Sequence, residues 1–132
     1  LPGWPSTFVG TELCRERISV HECDHRRTLT DLRKDFPFVD FALVKDEDDV
    51  LWTARKENEP SEMAATLCYE RADEFLNWLK NRPERNIAVV AHWVFLKHVF
   101  TAHAADPALS ANFKNAELRT AALFSGGGKV EL

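Results

Sequence analysis

Apolar residues recur with a helical period in three stretches of the chain. The first, "TLTDLRKDFP", predicts a short helix that Thr28 or Thr30 caps and Pro37 ends. The longest runs between Pro60 and Pro83, where proline opens and closes the pattern. Its predicted apolar stripe consists of Met63, Leu67, Phe75, Leu76 and Leu79, with Trp78 at the edge. The third predicted helix is "WVFLKHVFTAHA".

Two further stretches predict β-strands. "NIAVVA", residues 86–91, is apolar without alternation, as in a parallel strand that is covered on both faces. "LRTAALFSGGG" predicts another strand with a glycine-rich exit. Helices that alternate with strands indicate an α/β fold with a mostly parallel sheet flanked by helices. Because no linker or internal repeat is visible, we assign residues 1–132 to a single domain.

Composition and cysteine usage narrow the class of protein. The 132 residues are 45% hydrophobic and carry a net charge of -4, which permits a core and indicates no general affinity for nucleic acid. No apolar stretch approaches the roughly 20 residues that span a bilayer. Cys14, Cys23 and Cys68 form an odd set without CxxC spacing. This pattern favours reduced thiols and an intracellular location, cytoplasmic or organellar.

Two polar clusters raise the question of a metal ion. "HECDH" places His21, Cys23 and His25 on alternate positions, but no second ligand cluster follows, which favours a plain polar loop over zinc. The acidic run from Asp46 to Asp49 lacks the alternating oxygen ligands and the glycine turn of a cation site. A solvated loop is the favoured interpretation there. We predict no metal and no cofactor.

His92 is the first candidate for chemistry. It follows the predicted strand 86–91 and precedes a predicted helix. Ligands of open α/β sheets bind at such strand ends, and helix N–H groups favour an anion such as phosphate. An imidazole there can donate a hydrogen bond to a phosphate oxygen. On position alone, a core histidine satisfied by the backbone is an equal alternative.

Several segments resemble one family in sequence order. "RNIAVVAHWVFLKHVF" is similar to the second histidine motif of the histidine phosphatase superfamily, the phosphoglycerate-mutase-like fold. "LCRERISVHECDHRRTLTDLRKDFPFVDF" resembles the family's "L-R-E-x-x-G" segment in a eukaryotic, plant- and fungal-type branch. "DDVLW", "ERADEFLNWLKNRPERNIAVVAH" and "NAELRTAAL" also agree. The resemblance covers about residues 11–124 and implies a three-layer phosphoglycerate-mutase-like fold.

The resemblance implies phosphoryl transfer through a phosphohistidine, without a metal. His92 matches the histidine that stabilises the phosphoryl group. Glu16 matches the general acid, and its alternative is a surface glutamate in a salt-bridged run. Arg15 and Arg17 are candidate phosphate ligands or orienters, although exposed ion pairs are the commoner fate of such residues. Trp93 replaces a small residue of the family and either crowds the phosphate, packs inward or stacks on a substrate.

Four further basic residues lie in the segments that resemble the family or directly after them. Arg26 and Arg27 in "DHRR" could face the mouth of a substrate pocket. His98 and His103 are expected to be structural or exposed.

The chain also departs from the family pattern. It contains no "RHG", the motif that carries the nucleophilic histidine in the family. It resembles only the C-terminal portion of the fold, so we expect an incomplete domain whose first strands are missing. The strand before His92 would then have an open edge. We expect another chain, an N-terminal half or self-association to cover that edge.

Two functions fit these observations. The first is a phosphomonoester hydrolase or phosphotransferase that acts on a phosphorylated small molecule, with no turnover by the 132 residues alone. The second is a non-catalytic pseudoenzyme that serves as a structural or interaction subunit of a larger assembly. A phosphate held by His92 would favour the first function, and indifference to substitution of His92 would favour the second.

Overall fold

The computed structural model describes residues 7–19, 21–54, 61–126 and 129–131. Its helices and strands follow one another as β1 (Phe8–Val9), α1 (Leu29–Asp35), β2 (Val39–Asp40), α2 (Val50–Thr53), α3 (Ser61–Lys80), α4 (Trp93–His103), β3 (Phe124–Gly126) and β4 (Lys129–Glu131). Three 3₁₀ turns lie at Glu12–Cys14, Glu22–Asp24 and Pro107–Ser110.

The chain divides into two compact units. The first unit comprises Leu1–Glu12 and Ile18–Glu59, and the second comprises Leu13–Arg17 and Pro60–Leu132. The assignment of residues 1–132 to one domain stays a prediction beside these two units.

The first unit contains the parallel pair of strands and the predicted short helix. β1 and β2 pair in parallel, with Phe8 opposite Val39. The prediction of α1 is confirmed, and its cap is the Thr28 side chain, which accepts a hydrogen bond from the Asp31 N–H at 3.2 Å. Leu29 is the buried residue of this helix. α2 was not predicted from the sequence.

The second unit is built on α3 and α4, and both helices confirm their predictions. Their buried cluster consists of Cys68, Ala72, Phe75, Leu76, Phe95 and Val99. The rings of Phe75 and Phe95 meet edge to face with centroids 5.7 Å apart, a favourable aromatic geometry.

The predicted apolar stripe of α3 is right in its C-terminal half and wrong in its N-terminal half. Phe75 and Leu76 are buried, whereas Met63 and Leu67 are 46% and 45% exposed. The buried stripe continues instead through small residues at four-residue steps, namely Ala64, Cys68 and Ala72. Residues of this size permit close packing of a facing helix, and a search for large apolar side chains overlooks them.

Of the two strand predictions, that for residues 86–91 is wrong and that for "LRTAALFSGGG" is confirmed in part. Residues 86–91 have no regular secondary structure, and Val90 is 92% exposed. A strand that is apolar on both faces needs a hydrogen-bonded neighbour, and no strand among the described residues pairs with 86–91. In "LRTAALFSGGG" the strand comprises Phe124–Gly126, which pairs antiparallel with Lys129–Glu131, and residues 118–123 have no regular secondary structure.

The structure therefore confirms an α/β class with helices and a two-stranded parallel sheet. A larger, mostly parallel sheet in three layers is not seen in the described residues and stays a prediction. No helix in the described ranges has the length and apolar character needed to cross a membrane.

Candidate functional site at the start of helix α4

His92 is the N-cap residue of α4. Its backbone is extended, with φ -90° and ψ 158°, and its side chain makes no capping hydrogen bond. Helices normally begin with a side chain that accepts from the N–H groups of the first turn, because those groups have no partner within the helix. The first-turn N–H groups of α4 are therefore available to an acceptor other than the His92 side chain.

Glu16 provides that acceptor. The Val94 N–H donates to Glu16 Oε2 at 3.2 Å, and the Phe95 N–H donates to Glu16 Oε1 at 2.9 Å. These are the second and third helical positions, which an N-cap side chain usually satisfies. A carboxylate also complements the positive end of the helix dipole. Glu16 thus caps α4 from a position 78 residues before Val94 in the chain.

Arg71 of α3 holds the backbone on which Glu16 lies. Its Nη1 donates to the carbonyl oxygen of Arg15 at 3.0 Å, and its Nη2 donates to that of Glu16 at 2.9 Å. The Arg17 N–H donates to Glu16 Oε1 at 2.7 Å. Leu13 and Cys14, at the start of the same segment, pack against the apolar cluster.

The structure brings Glu16 and His92 to the same helix end. Arg15 and Arg17 flank Glu16 and are half-buried. Trp93 opens α4 and is 49% exposed, so inward packing does not fully account for its indole. His92 is exposed at the helix start. The roles of these five residues in catalysis or phosphate binding stay predictions.

The expectation of an open anion site at the start of α4 needs a correction. Two N–H groups of the first turn, those of Val94 and Phe95, already donate to Glu16. A phosphate at the same two groups would meet a carboxylate, and like charges at hydrogen-bond distance repel. An anion could therefore reach these two N–H groups only by displacing the Glu16 carboxylate.

A buried histidine lies one turn further along α4. The Nδ1 of His98 is 2.8 Å from the carbonyl oxygen of Val94, and its ring lies 4.3 Å from the ring of Tyr69. Within the described residues its Nε2 is buried and has no hydrogen-bond partner. Burial lowers the pKa of His98. Burial also raises the pKa of the Cys68 thiol nearby on α3. The prediction of a structural role fits His98.

His103, at the last turn of α4, contacts α3. Its Nε2 is 2.7 Å from Asp73 Oδ1. This pair and the Glu16 cap lie at opposite ends of α4.

Arg26 holds backbone groups of the first unit, and the suggestion that it faces a substrate stays a prediction. Its guanidinium donates to backbone carbonyl oxygens of residues 27 and 46–48 and pairs with Glu12 at 2.6 Å. Its side chain is only 10% exposed. Arg27 pairs with Asp35 at the surface, where such pairs contribute little.

The acidic run from Asp46 to Asp49 is not uniformly solvated, which corrects the loop interpretation. Asp49 is 2% exposed. Its carboxylate accepts from the Arg26 N–H at 2.7 Å and from the Trp52 N–H at 3.0 Å, and it thereby caps α2. The other three acidic side chains of the run are exposed.

The "HECDH" segment is an exposed 3₁₀ turn fixed by its own side chains. Asp24 accepts from the backbone N–H and the hydroxyl of Ser19. The His25 ring stacks on Trp52, with centroids 5.3 Å apart. Among the described residues, no group of three or more His, Cys, Asp or Glu side chains is placed to hold a metal ion.

Arg71 is the residue of this site that sequence reasoning missed. A signal was present, because Arg71 lies three residues after Cys68 and four before Phe75, on the buried side of α3. A cation on a buried helical face needs acceptors. The sequence cannot say that these are the carbonyl groups of a segment more than 50 residues away.

Comparison with known proteins gives relatives but no matching family model and no matching solved structure. Phosphoglycerate mutase-like protein 1 of Arabidopsis thaliana is 40% identical over 118 residues, which are 85% of this chain and 40% of that protein. A phosphoglycerate mutase-like protein of the same plant is 34% identical over 126 residues, with 91% and 45% covered. Phosphoglycerate mutase-like protein 2 is 37% identical over 107 residues, with 76% and 30% covered. The chain spans less than half the length of these curated relatives.

Proposed function

The chain belongs to the phosphoglycerate-mutase-like family of histidine phosphatases, and we propose that it contributes His92 and Glu16 to a site for phosphoryl transfer through a phosphohistidine. The observation that carries the proposal is the convergence of these two residues on the first turn of α4. They are far apart in sequence, and each matches a different motif of the family. A phosphorylated small molecule is the proposed substrate class.

His92 would hold the transferred phosphoryl group. It is exposed beside the positive end of a helix, where its ring N–H can donate to a phosphoryl oxygen. Because phosphoryl transfer spreads negative charge over three oxygens, donors in fixed positions are the main contribution that a protein makes. Arg15 or Arg17 could add charge there, and Trp93 would form the adjoining wall.

Glu16 would protonate the oxygen of the leaving group. One oxygen of a protonated carboxyl carries the proton and becomes the weaker acceptor, so the N–H groups that donate to Glu16 are best kept on the other oxygen. The longer bond, from Val94 to Oε2 at 3.2 Å, is the one to give up. Oε1, with Phe95 at 2.9 Å and Arg17 at 2.7 Å, would stay in place. Oε2 is therefore the proposed proton donor.

We do not propose that these 132 residues supply the nucleophilic histidine of the phosphoryl-transfer site. The 132 residues contain no "RHG" sequence, so the whole activity requires a histidine that these residues do not supply in that motif. We propose that the chain alone does not turn over. The first strands of a complete sheet, which would lie beside residues 86–91, belong to the same proposal.

Phosphate titration tests the first function. Inorganic phosphate added to the chain should shift the imidazole NMR signals of His92 in a saturable way. The His92→Ala variant should remove the response, and His21→Ala, at another exposed histidine, should preserve it. A His92 signal that ignores phosphate would argue against the site. In a protein that also carries an "RHG" segment, His92→Ala and Glu16→Gln should both lower turnover of a phosphomonoester.

A non-catalytic role is the second candidate. Two observations favour it: Glu16 occupies part of the anion site, and residues 86–91 expose apolar side chains, with Val90 92% exposed. Apolar exposure of this kind is typical of an interaction surface. The non-catalytic role predicts that light scattering detects self-association or binding of a partner. It also predicts that substitution of His92 has no effect. A monodisperse monomer that binds phosphate through His92 would rule it out.

An intracellular location is also proposed. Cys14, Cys23 and Cys68 are thiols rather than members of a disulfide, and reduced thiols are typical of reducing compartments. Thiol titration of the protein from its native cells should find all three cysteines reduced. A blocked or bridged cysteine would contradict this location.

A further inference from the structure

We infer that Arg71 is the positioning residue for Glu16. It fixes the backbone around Glu16 so that the carboxylate reaches the first turn of α4. The placement of Glu16 stands on geometry alone, whereas its consequence for phosphoryl transfer rests on the proposed function.

The two carbonyl groups that Arg71 binds are the critical ones. The carbonyl of Arg15 and the carbonyl of Glu16 belong to the peptide groups on either side of the Glu16 Cα. Peptide groups are planar, so fixing both of them restricts φ and ψ of Glu16 and the direction of its side chain. The planar fork of arginine suits two neighbouring acceptors, which a lysine ammonium cannot match in the same geometry.

Arg71 is itself held against the residue that Glu16 caps. Its guanidinium carbon lies 5.9 Å from the centre of the Phe95 ring, and the Phe95 N–H donates to Glu16. Phe95 is fully buried in the apolar cluster. The chain of contacts therefore runs from α3 through Arg71 to Glu16 and from Glu16 to α4.

Hydrogen exchange of the 132-residue chain measures this placement directly. The Arg71→Met variant keeps an unbranched apolar stem for the Phe95 contact and removes both donors. We expect exchange of the Val94 and Phe95 amides to rise about tenfold or more, because Glu16 no longer holds them. Amides in the middle of α3 and α4, such as those of Ala72 and Val99, should keep their protection.

Arg82→Met is the matched control. Arg82 lies over an aromatic ring, 5.2 Å from that of Trp78, and pairs with Glu84, so it resembles Arg71 in type but binds neither carbonyl. It should leave Val94 and Phe95 unchanged. Unchanged exchange of these two amides in Arg71→Met would overturn the inference.

A second variant covers the case in which Arg71→Met unfolds. Arg71→Lys keeps the charge and the stem but loses the fork. It should accelerate exchange at Val94 and Phe95 to an intermediate degree while Ala72 and Val99 stay protected. If Arg71→Lys leaves the two amides protected, Arg71 serves only the stability of the fold and the inference fails.

Kinetics separate this inference from the proposed function. In a protein that also carries an "RHG" segment, Arg71→Met should lower kcat and leave KM for a phosphomonoester nearly unchanged, and Arg82→Met should change neither. Turnover that Arg71→Met does not alter would overturn the catalytic part of the inference. Absence of turnover in the unsubstituted protein would count against the proposed function, and the exchange result would still decide the role of Arg71.

Discussion

Among the described residues of the first unit, Leu29 and Val44 are the buried apolar side chains. In the second unit the buried apolar side chains are Ala64, Cys68, Ala72, Phe75, Leu76, Phe95, Val99 and Phe100. The first unit compensates with a polar network. The Arg26 guanidinium donates to the carbonyl groups of residues 46–48, and the buried Asp49 carboxylate accepts from the Arg26 and Trp52 N–H groups. Two units of one chain are thus stabilised by different forces.

This difference bears on where a functional site can be held rigidly. In the second unit the candidate site lies on α4, whose inner face packs against the apolar cluster. Polar contacts there only orient the side chains of the site. In the first unit the buried polar groups are used to hold the loop itself. In the second unit, substitutions that remove apolar packing should therefore lower the free energy of unfolding most. In the first unit, the largest losses should come from substitutions that remove a hydrogen-bonding group.

The largest effect is expected from Phe95→Ala in the second unit. Phe95 is fully buried against Phe75, so its loss removes apolar burial and leaves a cavity. The free energy of unfolding should fall by about 3–5 kcal/mol, as measured by chemical denaturation. Phe124→Ala is the control, because Phe124 is 65% exposed and should change little. Similar effects of the two substitutions would contradict a core at Phe95.

Asp49→Ala should have the next largest effect, in the first unit. It removes the acceptor of the Arg26 and Trp52 N–H groups. Hydrogen bonds to a buried charge are worth about 1.5–3 kcal/mol each, and part of that is recovered by water. We expect a loss of roughly 2–3 kcal/mol in the free energy of unfolding, as measured by chemical denaturation.

Asp48→Ala is the control for the polar network. The Asp48 side chain is exposed, and it is its backbone carbonyl that Arg26 contacts. This variant should retain the stability of the unsubstituted chain. If Asp49→Ala were as harmless as Asp48→Ala, the first unit would not depend on its buried polar groups.

Glu16→Ala tests the polar contribution within the apolar unit. Loss of a helix cap costs about 1–2 kcal/mol, which is less than the loss of Phe95. Glu16→Gln should cost less than Glu16→Ala, because the amide keeps one oxygen acceptor for Phe95 or Val94. Chemical denaturation measures both, with Glu22→Ala as an exposed control. If Glu16→Ala destabilised the chain as much as Phe95→Ala does, apolar packing would not be the main source of stability in the second unit.

The sequence predicts the elements of the two units unequally well. α1 and α3 are predictable because each combines a cap or a bounding proline with a helical period, and α4 is predictable from its helical period. The strand at 86–91 is not, because a strand depends on partners that local sequence does not specify. The four-residue helix α2 also escapes prediction, since its cap Asp49 lies within an acidic run that reads as solvated.

The candidate site was predicted in part. Glu16 and His92 come from a resemblance of motifs, and the structure places them at one helix end. The hydrogen bonds that hold Glu16 at this helix end could not be predicted from the sequence, because they join residues far apart in the chain. They run from the Val94 and Phe95 amides to Glu16 and from Arg71 to the backbone around Glu16. Local patterns indicate which residues need partners, such as Arg71 on a buried face, but the fold determines which partners they find.

The smallest effect is expected from pH, through His98 in the second unit. Burial lowers the pKa of His98 and the charges of Arg17 and Lys97 add to this, against the Val94 carbonyl and Glu16. In the unfolded chain a histidine titrates near pH 6.5. As pH falls below that value, the unfolded chain takes up a proton before the folded chain does, so folded stability decreases until the folded pKa is passed.

His98→Gln should flatten this dependence without abolishing the fold. Denaturation at a series of pH values between about 7 and 5 gives the slope of the unfolding free energy against pH. His21→Gln, at an exposed histidine of the first unit, should keep the slope of the unsubstituted chain. A slope that His98→Gln leaves intact would mean that the imidazole is protonated in the folded state at no cost. Because Nε2 is buried without a partner among the described residues, a proton placed there would have no acceptor, and we expect that cost to be measurable.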